Sequence, residues 1–135
     1  TPVRGVLLDA GCSLWQFDDP ARGISHRSDG PLDMRLSMSA GDAPTAADLL
    51  ANCSEPELVE LLTSYGEERS RARRISYSIC RRRQNRPIRT TQDLVQTVCA
   101  AMRGAPKKVV DATVTRTFGA LRTAVNQELI ALADG

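Results

Sequence analysis

Side chains able to do chemistry are concentrated near the start of the chain, between residues 9 and 35. An aromatic ring, an amide and several carboxylates occur there without the spacing of a buried helix or strand, which predicts a site and not a core. Loops of this length are usually functional or disordered, and the tight turn at residues 29–35, DGPLDMR, favours order. The candidate site residues of this stretch are Asp9, Trp15, Gln16, Asp33 and Arg35.

A short apolar run, VLL at residues 6–8, leads into this stretch and stops abruptly at Asp9 and Gly11. A buried parallel strand has this form when it delivers an acid to the edge of a sheet, where ligands bind. One strand does not make a sheet. The 135 residues suit a single domain, but the predicted strand needs neighbours that the sequence does not reveal.

The rest of the chain has helical periodicity. Residues 37–44 read as a linker and 105–112 as a basic loop. The predicted helices cover residues 45–52 with a cap at Thr45, 54–66 with a capping box of Ser54 and Glu57, 67–84, 90–104 with a cap at Thr90 or Thr91, and about 115–133. Core faces are predicted for the last four of these helices. In order, they are Leu58, Leu61, Leu62 and Tyr65; Ala72, Ile75 and Ile79; Leu94, Val95, Val98 and Met102; and Phe118, Leu121, Val125, Leu129 and Leu132.

Half of the eighteen basic residues lie between positions 69 and 89, and no acid occurs between Glu68 and Asp93. Like charges in such a cluster repel one another unless a polyanion neutralises them, and RNA phosphate is the natural partner. The alternative is a solvated helix face. The residues expected to bind RNA here are Arg73, Arg81, Arg82 and Arg83.

Metal, disulfide and membrane patterns are weak. The cysteines Cys12, Cys53, Cys80 and Cys99 form no CxxC pair, and His26 is the single histidine. We therefore expect no metal site, and reduced, partly buried thiols of an intracellular protein. No stretch reaches the twenty apolar residues of a membrane span, so no membrane partner is expected.

The run GVLLDAGCSLWQFDDPARGISHRSDGPLDMR resembles the bacterial and organellar methyltransferases that modify the exocyclic amine of a cytosine in small-subunit ribosomal RNA. TAADLL, YGEER, PIRTTQDL and RTFGALRTAVNQEL continue the resemblance in the same order. It implies an α/β, Rossmann-like parent that uses S-adenosylmethionine, with N- and C-terminal parts of the fold missing from this mainly α chain. The implied division is a strand and cofactor/substrate loop at 1–44, a helical insertion at 45–114, and a helix returning to the methyltransferase domain at 115–135.

The resemblance also implies roles for individual residues. Asp9 and Gln16 match an acid and an amide that contact the cofactor, although Asp9 could instead cap a turn. Trp15 replaces a proline of the pattern and would either stack on a flipped-out cytosine or pack under the loop. Asp33 would accept from the target amine and Arg35 would clamp a phosphate; alternatively, the two side chains pair and pin the turn.

Three functions follow from these patterns. The first is an active RNA cytosine-amine methyltransferase; the second is an inactive methyltransferase-like factor that binds ribosomal RNA, with ribosomal or assembly proteins, during small-subunit assembly. The third, a helical nucleic-acid-binding domain of other ancestry, is disfavoured by DGPLDMR. The isolated chain is expected to be inactive, because the glycine-rich cofactor loop of the pattern is not in it. Departures from the pattern and four cysteines favour a mitochondrial over a bacterial cytoplasmic protein.

Overall fold

A computed structural model describes residues 29–36 and 43–134, with side chains described as far as residue 127. This part of the chain is helical, and its β-type pairing is one isolated antiparallel bridge between Pro31 and Thr90. The predicted strand at 6–8 and most of the predicted linker at 37–44 lie outside the described residues. The helices are α1 (Ala46–Asn52), α2 (Glu55–Ser64), α3 (Arg69–Asn85), α4 (Thr91–Ala101) and α5 (Lys107–Asp134).

Local sequence sets the start of three of these helices. In each, a threonine or serine hydroxyl accepts the backbone N–H three residues later, and the acid at that position accepts the N–H of the cap. The pairs are Thr45 with Asp48, Ser54 with Glu57 and Thr90 with Asp93. The predicted caps are confirmed, and Thr90, not Thr91, caps α4.

The apolar faces of α2 to α5 meet in one core, as predicted. Its members include Leu58, Leu62, Ala72, Ile75, Ile79, Leu94, Val98, Met102, Phe118, Leu121 and Val125, all buried. Leu61 and Val95 pack partly buried against it, whereas the side chains of Leu129 and Leu132 lie outside the described residues. Each large side chain buried there stabilises the fold by about 1.5–3 kcal/mol.

Tyr65 departs from the predicted core face, because it is 41% exposed. It follows the last residue of α2 and has left helical geometry, with ψ at 5°, so the helical spacing no longer applies to it. Its ring lies over Gly119 of α5, where an added Cβ would stand 2.6 Å from the tyrosine hydroxyl oxygen. Gly119 therefore allows the close approach of this ring.

The basic loop predicted at residues 105–112 is wrong, because α5 already begins at Lys107. The N–H groups of Val109 and Val110 both donate to the Pro106 carbonyl at 3.0 Å, and the Lys107 ammonium lies 2.8 Å from the Asp111 carboxylate one turn later. This first turn was missed from the sequence because its lysines and β-branched valines do not show the apolar periodicity of a helix. The proposed boundary between residues 114 and 115 falls inside the continuous helix, and the division into 1–44, 45–114 and 115–135 stays a prediction. No described helix is long and apolar enough to cross a bilayer.

Candidate nucleic-acid interface and the adjoining turn

The turn at residues 29–35 is joined to the start of α4 through its backbone. The Leu32 N–H donates to the Arg89 carbonyl at 2.9 Å, and the Thr91 N–H donates to the Gly30 carbonyl at 2.9 Å. The Gly30 N–H in turn donates to the Thr91 hydroxyl at 3.2 Å. The turn is therefore part of the helical body and not an independent loop.

The same turn supplies acceptors to the start of α1. The N–H of Ala46 donates to the Asp33 carbonyl at 2.8 Å, and the N–H of Ala47 donates to the Leu32 carbonyl at 2.9 Å. Helix N-terminal N–H groups have no partner within their own helix, so these bonds stabilise both segments. Leu32 and Met34 are 2% and 0% exposed and belong to the core.

Asp33 and Arg35 form a bidentate ion pair across the turn. The Arg35 Nε lies 2.7 Å from Asp33 Oδ1 and its Nη2 lies 2.8 Å from Oδ2. The Arg35 N–H also donates to Oδ1 at 3.0 Å, and Nη1 reaches the Ala43 carbonyl at 3.1 Å. The hydrogen bonds to Asp33 raise the pKa of Arg35. This geometry is that of a pair that pins the turn, while the roles of Asp33 towards the amine and Arg35 towards a phosphate stay predictions.

Asn126 of α5 clamps the turn from the other side and was not identified from the sequence. Its Nδ2 donates to the Met34 carbonyl at 3.0 Å, and its Oδ1 accepts from the Leu36 N–H at 3.1 Å. Met34 between these bonds has a φ of 66°, a left-handed conformation that costs a residue with a side chain about 1–2 kcal/mol. The signal was the motif RTFGALRTAVNQEL, in which Asn126 directly follows the core residue Val125.

Asp9, Trp15 and Gln16 lie outside the described residues, so their expected roles stay predictions. Cys12 also lies outside the described residues, and its reduced, partly buried state stays a prediction. Among the residues that are described, Cys53 and Cys80 are half-buried and Cys99 is exposed, and no group of three or more potential metal ligands comes together.

Two of the four arginines expected to bind RNA have their guanidinium groups engaged within the fold. Arg83 Nη1 donates to the carbonyls of Leu50 and Cys53 at 2.8 and 2.6 Å, at the end of α1. Arg82 pairs with Asp93 at 3.0 Å and also donates to the Asp93 carbonyl at 3.3 Å. Both residues therefore link α3 to its neighbours, and Arg82 also lies in the lining of a groove between α3 and α4. Their contact with RNA phosphate stays a prediction.

The Asp93 carboxylate combines a helix cap with this ion pair. Burial raises its pKa, but the backbone N–H groups of Arg89 and Thr90, the charge of Arg82 and the Thr90 hydroxyl together hold the pKa below its ordinary value. Because the folded pKa is depressed, the stabilisation is present above the unfolded pKa. It is lost as the pH falls through the folded pKa.

A second acid, Glu67, forms ion pairs with two further arginines. Glu67 was predicted to open the third helix, but α3 begins at Arg69 and the Glu67 side chain is only 2% exposed. Its carboxylate lies 3.4 Å from Arg71 and 3.1 Å from Arg116 of α5. Arg69 pairs with Glu60 at 3.1 Å, so the assumption that the cluster lacks acidic partners is wrong.

The basic residues that remain exposed on α3 border two grooves. One of about 470 Å³ lies between α3 and α4 and includes Arg74, Tyr77 and Arg81 in its lining. The other, of about 560 Å³, includes Arg73 but also Glu55 and Glu60. None of the described residues that line the first groove is acidic, so it is the better site for a polyanion. Arg74 and Tyr77 were missed from the sequence, although their spacing with Arg81 (i, i+3, i+7) places all three on one face.

The sequence model of the MraW methylase family matches residues 1–134. The chain belongs to the MraW methylase family. Relatives named "Ribosomal RNA small subunit methyltransferase H" include proteins of Beutenbergia cavernae, 47% identical over 127 residues (94% of this chain, 37% of the relative), and Acidiphilium cryptum, 46% identical over 129 residues (96% and 39%). The Deinococcus radiodurans protein of that name is 45% identical over 135 residues (100% and 41%). The chain thus spans about two-fifths of these relatives' length.

In this member of the MraW methylase family, the motif DGPLDMR is the turn that binds α1, α4 and α5 together. The relatives named above are bacterial, so the mitochondrial expectation gains no support from them. Family membership confirms the resemblance drawn from the sequence. It also supports a methyltransferase fold for the parent protein.

Proposed function

We propose that the protein containing this chain transfers a methyl group to the exocyclic amine of a cytosine in small-subunit ribosomal RNA. The observation that carries this proposal is the match to the MraW methylase family over residues 1–134, together with relatives of 45–47% identity named ribosomal RNA small subunit methyltransferase H. Because the chain covers only part of those relatives, the activity is proposed for the whole protein.

Amine methylation needs an electrophilic methyl group held in line with the nitrogen, and acceptors for the charge that develops on the amine. S-adenosylmethionine would supply the methyl group. We assign Asp9 and Gln16 to cofactor contact and Trp15 to base stacking on the resemblance alone. Asp33 is assigned to the amine, in a turn whose shape its ion pair with Arg35 maintains.

For RNA binding we assign the exposed arginines of α3, chiefly Arg74 and Arg81. They line a groove in which no described lining residue is acidic, and phosphate contacts of this kind supply affinity without sequence preference. Arg73 is a further candidate, although Glu55 and Glu60 beside it weaken the local positive potential.

An inactive RNA-binding assembly factor is the alternative function, and the names of the relatives favour the enzyme. Bacterial relatives favour the cytoplasm of a bacterium as the compartment. Ribosomal or assembly proteins are proposed as additional partners only in the sense that they bind the same RNA.

The test is methyl transfer by the full-length protein to small-subunit RNA, with isotopically labelled S-adenosylmethionine and nucleoside analysis of the digested RNA. We expect label in N4-methylcytidine. In the variant Asp9→Ala, cofactor binding should be weaker by about 1.5–3 kcal/mol, the usual range for a hydrogen bond to a charged group. The rate of methyl transfer should fall as well.

Label in another nucleoside would contradict the assigned reaction. If RNA and cofactor both bind but no methyl group is transferred, the inactive alternative replaces the enzyme.

A further inference from the structure

Tyr77 is an exposed aromatic residue on α3. The residue is 51% exposed, whereas Tyr65, the other exposed tyrosine among the described residues, covers Gly119. About half of Tyr77 is therefore accessible to a ligand.

Cations border this ring along the helix. Arg74 lies one turn before Tyr77 and Arg81 one turn after it, on the same face of α3. The Arg81 guanidinium carbon is 5.7 Å from the ring centroid, and its Nη1 donates to the Tyr77 hydroxyl at 3.0 Å. This contact orients the ring while both residues stay exposed.

The space beside the ring suits a small planar group with attached anions. The groove measures about 470 Å³, within the range of roughly 300–1,000 Å³ of small-ligand sites. Asn85 places an amide in its lining, and Ala100 and Ala101 of α4 are small enough to leave it open. An amide can hydrogen-bond to the edges of a nucleobase. The Ser78 hydroxyl, also in the lining, donates to the Thr97 carbonyl at 3.0 Å and can therefore only accept from a ligand.

We propose that this groove is a subsite for an unpaired RNA nucleotide, whose base stacks on Tyr77 while the adjoining phosphates lie against Arg74 and Arg81. Proteins recognise single-stranded RNA by this combination of stacking and cationic contacts. The proposal rests on the proposed function in one respect, since it assumes that RNA is the substrate. It adds that part of that RNA is bound unpaired.

The experiment measures binding of the full chain to a single-stranded RNA oligonucleotide carrying 2-aminopurine, whose fluorescence is quenched when it stacks on an aromatic ring. Tyr77→Leu should weaken binding roughly 5- to 150-fold, the range for loss of one stacked base, and abolish the quenching. Tyr77→Phe should keep both, because the ring is retained. A fully paired RNA of equal length should bind Tyr77→Leu and wild type alike.

Tyr65→Leu is the matched control, since it removes the other exposed tyrosine and should leave the fluorescence change intact. Circular dichroism establishes that each variant is folded. Unchanged affinity and quenching in folded Tyr77→Leu would overturn the stacking proposal while RNA binding, and with it the proposed function, stands. Failure of wild type to bind any RNA, or tighter binding of an acidic peptide, would remove both the subsite and the RNA-binding half of the proposed function.

Discussion

Replacing Met34 with alanine should lower the free energy of unfolding by about 2–5 kcal/mol, the range for truncating a large buried side chain. Met34 is 0% exposed and anchors the turn at residues 29–35 in the core shared with Leu32. Urea unfolding followed by far-UV circular dichroism measures the change. The mutation should also loosen the clamp by Asn126, because that clamp binds the Met34 carbonyl.

Met34→Leu is the matched control for this prediction. It conserves volume and the left-handed backbone of the position, so the loss should stay below about 1.5 kcal/mol. If Met34→Ala unfolds at the same urea concentration as wild type, the turn is not docked on the helices in solution.

Arg83→Met should lower the free energy of unfolding by about 2–4 kcal/mol, because two carbonyls lose hydrogen bonds to a charged donor. The carbonyls belong to Leu50 and Cys53, at 2.8 and 2.6 Å, and methionine keeps most of the apolar stem. The same unfolding measurement applies, and RNA affinity of the folded variant should match wild type.

Arg86→Met serves as the comparison for Arg83, since Arg86 is exposed at the end of α3 and its loss should change stability by less than about 0.5 kcal/mol. Equal stability of the two variants would show that Arg83 does not stabilise the fold and behaves as a surface cation. Reduced RNA affinity in a folded Arg83→Met chain would do the same.

The parts of the fold that were predictable from the sequence depend on neighbours within one or two turns. The caps Thr45, Ser54 and Thr90 act on N–H groups three residues away, and helical periodicity selects the buried face of each helix. The start of α5 was missed because Lys107, Lys108 and the two valines that follow lack a helical apolar pattern, which favours a loop. Pro106 did not contradict a helix start, since proline is tolerated at the beginning of a helix.

The candidate site was less predictable because charge pairing is decided by tertiary structure. Arg83 contacts Leu50, 33 residues earlier, and Glu67 meets Arg116, 49 residues later. A count of charges along the chain treats all arginines of the cluster as equivalent, although Arg83 holds the fold, Arg74 and Arg81 border the groove, and Arg82 does both. Similarly, DGPLDMR allowed either a catalytic or a pinning role for Asp33 and Arg35, and only the turn geometry reveals their ion pair.

RNA binding by the exposed face of α3 is tested most directly by the salt dependence of affinity for small-subunit RNA. Replacing both Arg74 and Arg81 with glutamine should lower the slope of log affinity against log salt by about 1.4–1.8, since each phosphate contact contributes roughly 0.7–0.9. The matched control, Lys107→Gln with Lys108→Gln, also removes two exposed charges and should leave the slope unchanged. An unaltered slope in the folded arginine variant, or an equal fall in the lysine control, would contradict the assignment of this groove to RNA.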